Sequence, residues 1–163
     1  MDKFPAYKKV STASLIPYAR NARVHSDAQV AQIAASIREF GFLSPIIIDG
    51  ANGIIAGHGR GLAAQKLGME SLPCIEAAHL TEAQRRAYVI ADNKLAMNAS
   101  WDDDLLRIEF EDLRAEGFNI DLIGFDQEEL SGFLGDEIKG PGDRKSTRLN
   151  SSHLKLSRMP SSA

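Results

Sequence analysis

The chain has 163 residues, of which 44% are hydrophobic and 25% charged, values typical of one soluble globular domain with a linker or tail. No apolar run reaches the roughly 18 residues that span a bilayer, and the N-terminus has no apolar core behind its lysines, which argues against a membrane helix and a secretory signal. A single cysteine, Cys74, excludes an internal disulfide and a cysteine-based zinc site, so we expect a cytoplasmic protein.

Charge is divided into blocks along the chain. Residues 1–101 carry 11 Lys and Arg against 8 Asp and Glu, residues 102–137 carry 2 against 13, and residues 144–163 carry 5 against none. Such blocks predict three segments with different roles. The mildly basic first block favours an anionic ligand, although so small a surplus does not establish nucleic-acid binding.

The first half of the chain predicts a strand, a helix and a hairpin. Residues 8–15 are typical of a strand ended by a proline. Ser26 and Gln29 then form a capping-box pattern for a helix whose apolar residues recur at helical spacing up to Gly41. Two short β-branched runs within residues 45–56 flank a turn-rich segment and predict a hairpin.

A glycine-rich turn, Gly57-His58-Gly59-Arg60-Gly61, follows the hairpin and precedes a short helix over residues 62–67. Residues 72–77 predict another strand, and Pro73 places it at a sheet edge. Thr81 and Gln84 form a second capping box, for a helix extending to about residue 98.

Residues 100–137 predict an acidic helical appendage or linker. A third capping pattern, Ser100 with Asp103, opens a helix that ends near Gly117, and a short helix follows over residues 126–134. We expect Leu113 and Phe118 to pack on the preceding domain.

The glycine-rich turn has the composition of an anion site. The first N–H groups of a helix lack internal partners, and the helix dipole favours negative charge at that end. Glycines allow a phosphate to approach the backbone, and Arg60 can hold it with a bidentate fork. Spaced glycines are also simple turn formers, so the turn alone does not decide between the two.

Three segments in order resemble the ParB/sulfiredoxin N-terminal domain family: IPYARNARVHSDAQVAQIAASIREFGFLSPIII, IIAGHGRGLAAQKLG and LTEAQRRAYVIADNKLA. The resemblance implies an α/β (α+β) fold over residues 1–99, with a small mixed sheet, flanking helices and a nucleotide pocket. Partition ParB proteins bind CTP with magnesium in this pocket, and sulfiredoxins use ATP. A nucleoside triphosphate with Mg²⁺ is therefore the implied cofactor.

The resemblance also assigns residues to roles. The Gly-Glu-Arg-Arg phosphate motif of ParB falls on Gly57, His58, Gly59 and Arg60. The family's early arginine box falls on residues 20–23, where Arg23 matches best and two arginines on an exposed loop are the alternative. The Glu-Asn pair that holds magnesium falls on Asp92 and Asn93, where a solvated helix turn is the alternative.

Two positions depart from the family motif, His58 for glutamate and Gly59 for arginine, and both weaken the case for tight triphosphate binding and hydrolysis. The sulfiredoxin nucleophile also falls at His58, which argues against that chemistry, while Cys74 is expected to be a buried hydrophobe. His58 can contact phosphate, bind a metal, act as a base or be a plain loop residue. His25 and His79 are distant from it in sequence.

The implied function is a nucleotide-binding, DNA-associated module, either partition-like or the front part of a DNA methyltransferase, in which Arg20, Arg85 and Arg86 make weak contacts with DNA phosphates. The acidic segment resembles the segment after this domain in phage and prophage DNA methyltransferases, so a methyltransferase domain is an expected following partner. The alternatives are a small phosphoryl-transfer or nuclease enzyme, and a degenerate interaction domain without turnover. Because the helix predicted after Ser100 is strongly acidic, we expect it not to be a recognition helix.

Residues 138–163 predict a disordered basic tail. The string DRKSTRLNSSH at residues 143–153 resembles one reading frame of a common short-read sequencing adapter. We therefore expect the natural protein to continue differently after about residue 142.

Overall fold

The structure is a computed structural model that describes residues 5–135, and the chain there forms four strands and five α-helices. The strands are β1 (Ala6–Ser11), β2 (Ile46–Ile48), β3 (Ile54–Ala56) and β4 (Ser71–Glu76). The helices are α1 (Asp27–Phe40), α2 (His58–Lys66), α3 (Glu82–Met97), α4 (Asp103–Ala115) and α5 (Gln127–Leu134). The mixed α/β fold class predicted from the sequence is confirmed.

The strands form one mixed sheet in the order β1-β4-β2-β3. β1 is antiparallel to β4, β4 is parallel to β2, and β2 is antiparallel to β3. The last pair is the predicted hairpin. Its turn is closed by the Asp49 carboxylate, which accepts the N–H groups of Ala51 and Gly53 at 2.8 Å each.

The prediction that the strand containing Pro73 lies at the sheet edge is wrong, because β4 lies between β1 and β2. The ladder between β4 and β2 begins only at Cys74, opposite Ile46. No residue of β2 therefore lies opposite Pro73, and the N–H group that proline lacks is not needed for the ladder on that side. A proline is tolerated in this interior strand for that reason.

The first strand is shorter than predicted. It ends at Ser11, and a 3-10 helix over Thr12–Ser14 replaces the expected strand as far as residue 15. Thr12 is buried, and it binds the segment before β4 twice: its N–H donates to the Glu70 carbonyl at 3.0 Å and its hydroxyl to the Met69 carbonyl at 2.5 Å. These bonds turn the chain away from the sheet.

Helix α1 begins and ends where predicted. The Ser26 side chain accepts the Gln29 N–H at 3.2 Å, and Gly41 ends the helix with φ 84°. The predicted capping box is only half formed, however. The Gln29 side chain accepts a hydrogen bond from His25 Nδ1 at 2.9 Å and is thereby turned away from the cap.

The two faces of the sheet are covered by different helices. One face buries aliphatic residues against α2, which approaches closely because it carries glycine and alanine there; a Cβ at Gly61 would lie 3.6 Å from Ile46 Cδ1. The opposite face buries Ile55 against Val89 of α3 and against Ala77, the residue after β4. Cys74 lies in the first cluster, as predicted, and burial raises the pKa of its thiol despite the nearby charge of Lys8.

Residues 100–135, here called the helical unit, have a core of their own. Phe110, Ile120 and Leu130 are buried in it, and Leu113 packs against this cluster and not, as expected, against the hydrophobic clusters of the domain. Phe118 does contact the domain, since its ring stacks on Phe40 of α1 with centroids 5.9 Å apart. Helix α4 is capped by Asp102, and not by Ser100, because the Asp102 carboxylate accepts the N–H of Leu105.

The predicted tail, residues 138–163, and the adapter-like string within it lie outside the described residues. Within residues 5–135, no helix is long and apolar enough to cross a membrane.

Candidate functional site

The glycine-rich turn joins the end of β3 to the first residue of α2. Gly57 is the N-cap of α2 and has φ 94°, a left-handed conformation that side chains rarely adopt. A Cβ at Gly57 would also lie 2.8 Å from Arg60 Nη2. Position 57 therefore favours glycine for its backbone angle, and a side chain there would displace the Arg60 guanidinium from its present place.

Arg60 points back over this turn. Its Nη2 donates to the Pro45 carbonyl at 3.1 Å, while its Nε is buried and has no partner among the described residues. Burial lowers the pKa of Arg60, against the opposing influence of the Asp92 carboxylate, and an arginine stays charged in either case. A buried donor without a partner is costly unless water or a ligand accepts from it, and the buried Nε of Arg85 also has no partner among the described residues.

His58 accepts a hydrogen bond from the backbone of the loop before α1. Its Nε2 accepts the N–H of Tyr18 at 3.2 Å, so this nitrogen carries no proton in the structure. Burial, and then the proximity of His25, lowers the pKa of His58 below its ordinary value of 6.5. Both effects favour the neutral ring near pH 7.

Gly59 lies beneath the ring of His25. A Cβ at this position would be 2.9 Å from His25 Cε1 and 3.0 Å from Ile33 Cδ1. The departure from arginine in the family motif therefore accompanies a histidine that fills the space above residue 59. The sequence did not identify His25 as a site residue, because it lies 33 positions before His58 and only the fold brings the two together.

Arg23 and Asn93 connect the loop before α1 to α3. Arg23 Nη1 donates to Asn93 Oδ1 at 3.2 Å, and Asn93 Nδ2 donates to the Val89 carbonyl at 2.7 Å. The Asn93 amide thus holds Arg23 at the mouth of the turn. This leaves the neighbouring Asp92 as the carboxylate that faces Arg60.

These residues surround one cavity of about 220 Å³ at the N-terminus of α2, here called the α2 cavity. All the residues that the sequence assigned to phosphate or metal binding line it, namely Arg23, Gly57, His58, Gly59, Arg60, Asp92 and Asn93. They come from three separate segments of the chain, which the fold brings together.

A magnesium ion fits this cavity only with help from a ligand. Within the part of the chain that the structure describes, no three His, Cys, Asp or Glu side chains come together as a metal cluster. Asp92 supplies one carboxylate, and the amide oxygen of Asn93 already accepts from Arg23. Mg²⁺ is commonly held by one or two carboxylates together with phosphate oxygens and water, which this donor set allows.

The arginines assigned to DNA contact are divided between two environments. Arg20 and Arg86 line a groove of about 640 Å³ between the loop before α1 and helix α3, here called the α3 groove. Arg85 instead forms an ion pair with Asp49, with Nη1 and Oδ2 2.5 Å apart. Burial would raise the pKa of Asp49, but the N–H groups of Gly53 and Ala51 and the Arg85 charge together hold it below its ordinary value.

Known proteins share this fold and sequence pattern. The family model of the ParB N-terminal domain matches residues 6–93, and that of the ParB-methyltransferase HTH domain matches residues 104–148. The chain is 51% identical over 72 residues to the ParB-like nuclease domain-containing protein YnaK of Escherichia coli (strain K12), covering 44% of this chain and 83% of that protein.

Two solved structures illustrate the likeness. C-terminally truncated ParB from Caulobacter crescentus, complexed with CTP-gamma-S, is 19% identical and superposes with a TM-score of 0.64 over 79% of this chain and 77% of that chain. Sulfiredoxin from Arabidopsis thaliana is 22% identical, with a TM-score of 0.44 over 52% of this chain and 98% of that chain. At such identity the first likeness concerns the fold alone.

The match over residues 104–148 bears on our expectation about DNA recognition. The acidity of α4 predicts that this helix is not a recognition helix. The helix-turn-helix family model instead begins within α4 and extends past α5. The match over residues 6–93 carries the assignment: this chain belongs to the ParB N-terminal domain family.

Proposed function

We propose that the domain binds a nucleoside triphosphate, with its phosphates in the α2 cavity. The observation that carries this proposal is the Arg60 guanidinium, which is buried beside a helix N-terminus with one N–H donor lacking a partner. Phosphate oxygens would satisfy that donor together with the free N–H groups of the first turn of α2. Arg23, held by Asn93, would neutralise further phosphate charge.

Magnesium would be shared between Asp92 and the bound phosphates. When bound, the ion would neutralise phosphate charge that the two arginines leave uncompensated. Asp92 would orient it, while Arg60 and Arg23 would hold the nucleotide. CTP and ATP are the first nucleotides to test, since the ParB structure of the same fold contains CTP-gamma-S.

DNA association would be weak and directed to phosphates. Arg20 and Arg86 in the α3 groove are available for it, whereas Arg85 is held by Asp49. The match to a ParB-methyltransferase HTH model supports a second step of the proposal, that this chain is the front part of a DNA methyltransferase. The methylating chemistry would then belong to a following domain.

Titration calorimetry with CTP and ATP, each with and without Mg²⁺, tests the site. Arg60→Ala should weaken binding by about 1.5–3 kcal/mol, or roughly tenfold to a hundredfold, because it removes charge-assisted hydrogen bonds. Arg60→Lys should recover only part of the loss, since lysine lacks the planar fork. Asp92→Asn should weaken binding chiefly when Mg²⁺ is present.

Arg38→Ala is the matched control, because Arg38 is an exposed residue on α1 and its loss removes the same charge. Nucleotide affinity should be unchanged in this variant. An affinity that survives Arg60→Ala with its magnesium dependence intact would place the pocket elsewhere.

A further inference from the structure

The loop before α1 is a wall shared by several cavities. Residues 17–25, here called the strap, contain no helix or strand and one backbone hydrogen bond of their own, from the Asn21 N–H to the Tyr18 carbonyl at 3.1 Å. The strap lines the α2 cavity, the α3 groove and a third cavity of about 180 Å³ that adjoins His58. Because its own backbone bonds are few, its position must come from contacts with the rest of the fold.

Three contacts that each use a residue of the candidate site contribute to that position, beside the packing of Tyr18 against the cluster of Ile55, Ala77 and Val89. Near one end, the Tyr18 N–H donates to His58 Nε2 at 3.2 Å. At the other end, the His25 ring covers Gly59 and its Nδ1 donates to Gln29. Between them, Arg23 donates to Asn93. The strap is thus fastened to the N-terminus of α2 at both ends and to α3 in the middle.

We infer that His58 is a positioning residue, which holds the strap through Nε2 and thereby fixes Arg23 opposite Arg60. His58 occupies the first position of α2, so the nitrogen that fastens the strap belongs to the same turn as the Gly57 and Arg60 groups. The Nε2 lone pair is already engaged by Tyr18, and it is therefore unavailable as a base or a metal ligand while the strap is held. This role differs from each of those that the sequence left open for His58, namely phosphate contact, metal ligand, base or plain loop residue.

Gly59 completes the arrangement. A side chain there would collide with His25, whereas glycine lets the His25 ring pack against the α2 turn. The two departures from the family motif therefore act together. His58 binds the start of the strap through Tyr18, and Gly59 leaves space for His25 at its end. The consequence for Arg23 rests on the proposed function, but the fastening of the strap does not.

Hydrogen exchange of backbone amides, measured by NMR on the ligand-free full chain, tests the fastening directly. His58→Ala should speed exchange of the Tyr18 amide by about fivefold to tenfold, the effect expected from losing one hydrogen bond, and leave β4 amides unchanged. His58→Gln should restore protection, because its carbonyl oxygen can accept in place of Nε2. His79→Ala is the control, since His79 is exposed.

Protection of Tyr18 that is the same in His58→Ala as in the wild type would overturn the inference. Equal loss in His79→Ala would overturn it as well. Nucleotide affinity is then measured as a separate arm, in which His58→Ala should weaken binding and His58→Gln should recover it. If the wild type binds no nucleotide, the proposed function fails, while the exchange result still decides whether His58 holds the strap.

Discussion

The domain of residues 5–99 and the helical unit of residues 100–135 are stabilised in different ways. The domain buries aliphatic side chains on both faces of a sheet whose strands are distant in sequence. The helical unit packs aromatic rings from neighbouring segments, with Phe110 edge-on to Phe125 and Phe133 at 5.1 and 5.6 Å. The fold of the domain thus depends on long-range contacts, and that of the unit on local ones.

The candidate site follows the same division. The residues that line the α2 cavity all lie between positions 21 and 96 and therefore within the domain. Arg60 also lines a groove of about 470 Å³ that is formed by α1, residues 41–44 and residues 122–124 of the helical unit. Because binding groups and packing groups occupy different regions, each region can be disrupted while the other is monitored.

Phe110→Ala should have the largest effect on stability. Phe110 is 1% exposed and lies at the centre of the aromatic cluster, so its removal should cost the helical unit about 3–5 kcal/mol. Trp101 is the only tryptophan and packs on Phe125, so its fluorescence during urea unfolding reports the unit. Nucleotide affinity should be unchanged.

Leu105→Ala is the control for this variant, because Leu105 also lies on α4 but is 62% exposed. It should change the free energy of unfolding by less than about 0.5 kcal/mol. A comparable loss in both variants, or a loss of nucleotide affinity in Phe110→Ala, would contradict the separation of the two regions.

Phe40 and Phe118 form an aromatic contact between the regions and should have an intermediate effect. Their rings are stacked at an interplanar angle of 25°, a geometry that contributes about 0.5–1.5 kcal/mol beyond area burial. A double-mutant cycle with Phe40→Ala and Phe118→Ala should give a coupling energy of that size. Additive effects of the two substitutions would mean that the unit is not docked on α1 through these rings.

Local signals in the sequence predicted most of the helices. Ser26 and Thr81 cap α1 and α3 as expected, because a cap needs only a side chain and an N–H group three residues later. The same rule chose Ser100 for α4, where the structure uses Asp102. Several acceptors in succession compete for one cap there, and spacing alone does not rank them.

Features that depend on distant partners were harder to predict. The interior position of β4 follows from pairing with both β1 and β2, which Pro73 gave no means to foresee. The residues lining the α2 cavity were predicted as site residues from the family resemblance and not from their spacing in the sequence. The contacts of His58 with Tyr18 and of His25 with Gly59 join segments more than 30 residues apart, and no local pattern marks them.

The smallest expected effect is a pH dependence that distinguishes the strap from the helical unit. The pKa of His58 is lowered in the folded protein, chiefly by burial, so the unfolded chain takes up a proton first as the pH falls. Stability from this group is therefore fully present above the ordinary value of 6.5 and is lost as the pH falls below it. Asp49, whose pKa is also lowered, loses its contribution only below its ordinary value of 3.8.

Thermal unfolding at pH 7.5 and pH 5.5 measures this difference. The wild type should lose Tm between the two values, and His58→Gln should lose less, because glutamine does not titrate yet can still accept the Tyr18 N–H. Exchange at Tyr18 should rise at pH 5.5, after correction for the intrinsic rate, in the wild type alone, since protonation of the released His58 ring favours the opened form of the strap. The Trp101 signal of the helical unit should not follow this change, because His58 lies in the domain. Equal loss of Tm in the wild type and His58→Gln would assign the dependence to another histidine and leave the strap without a pH response.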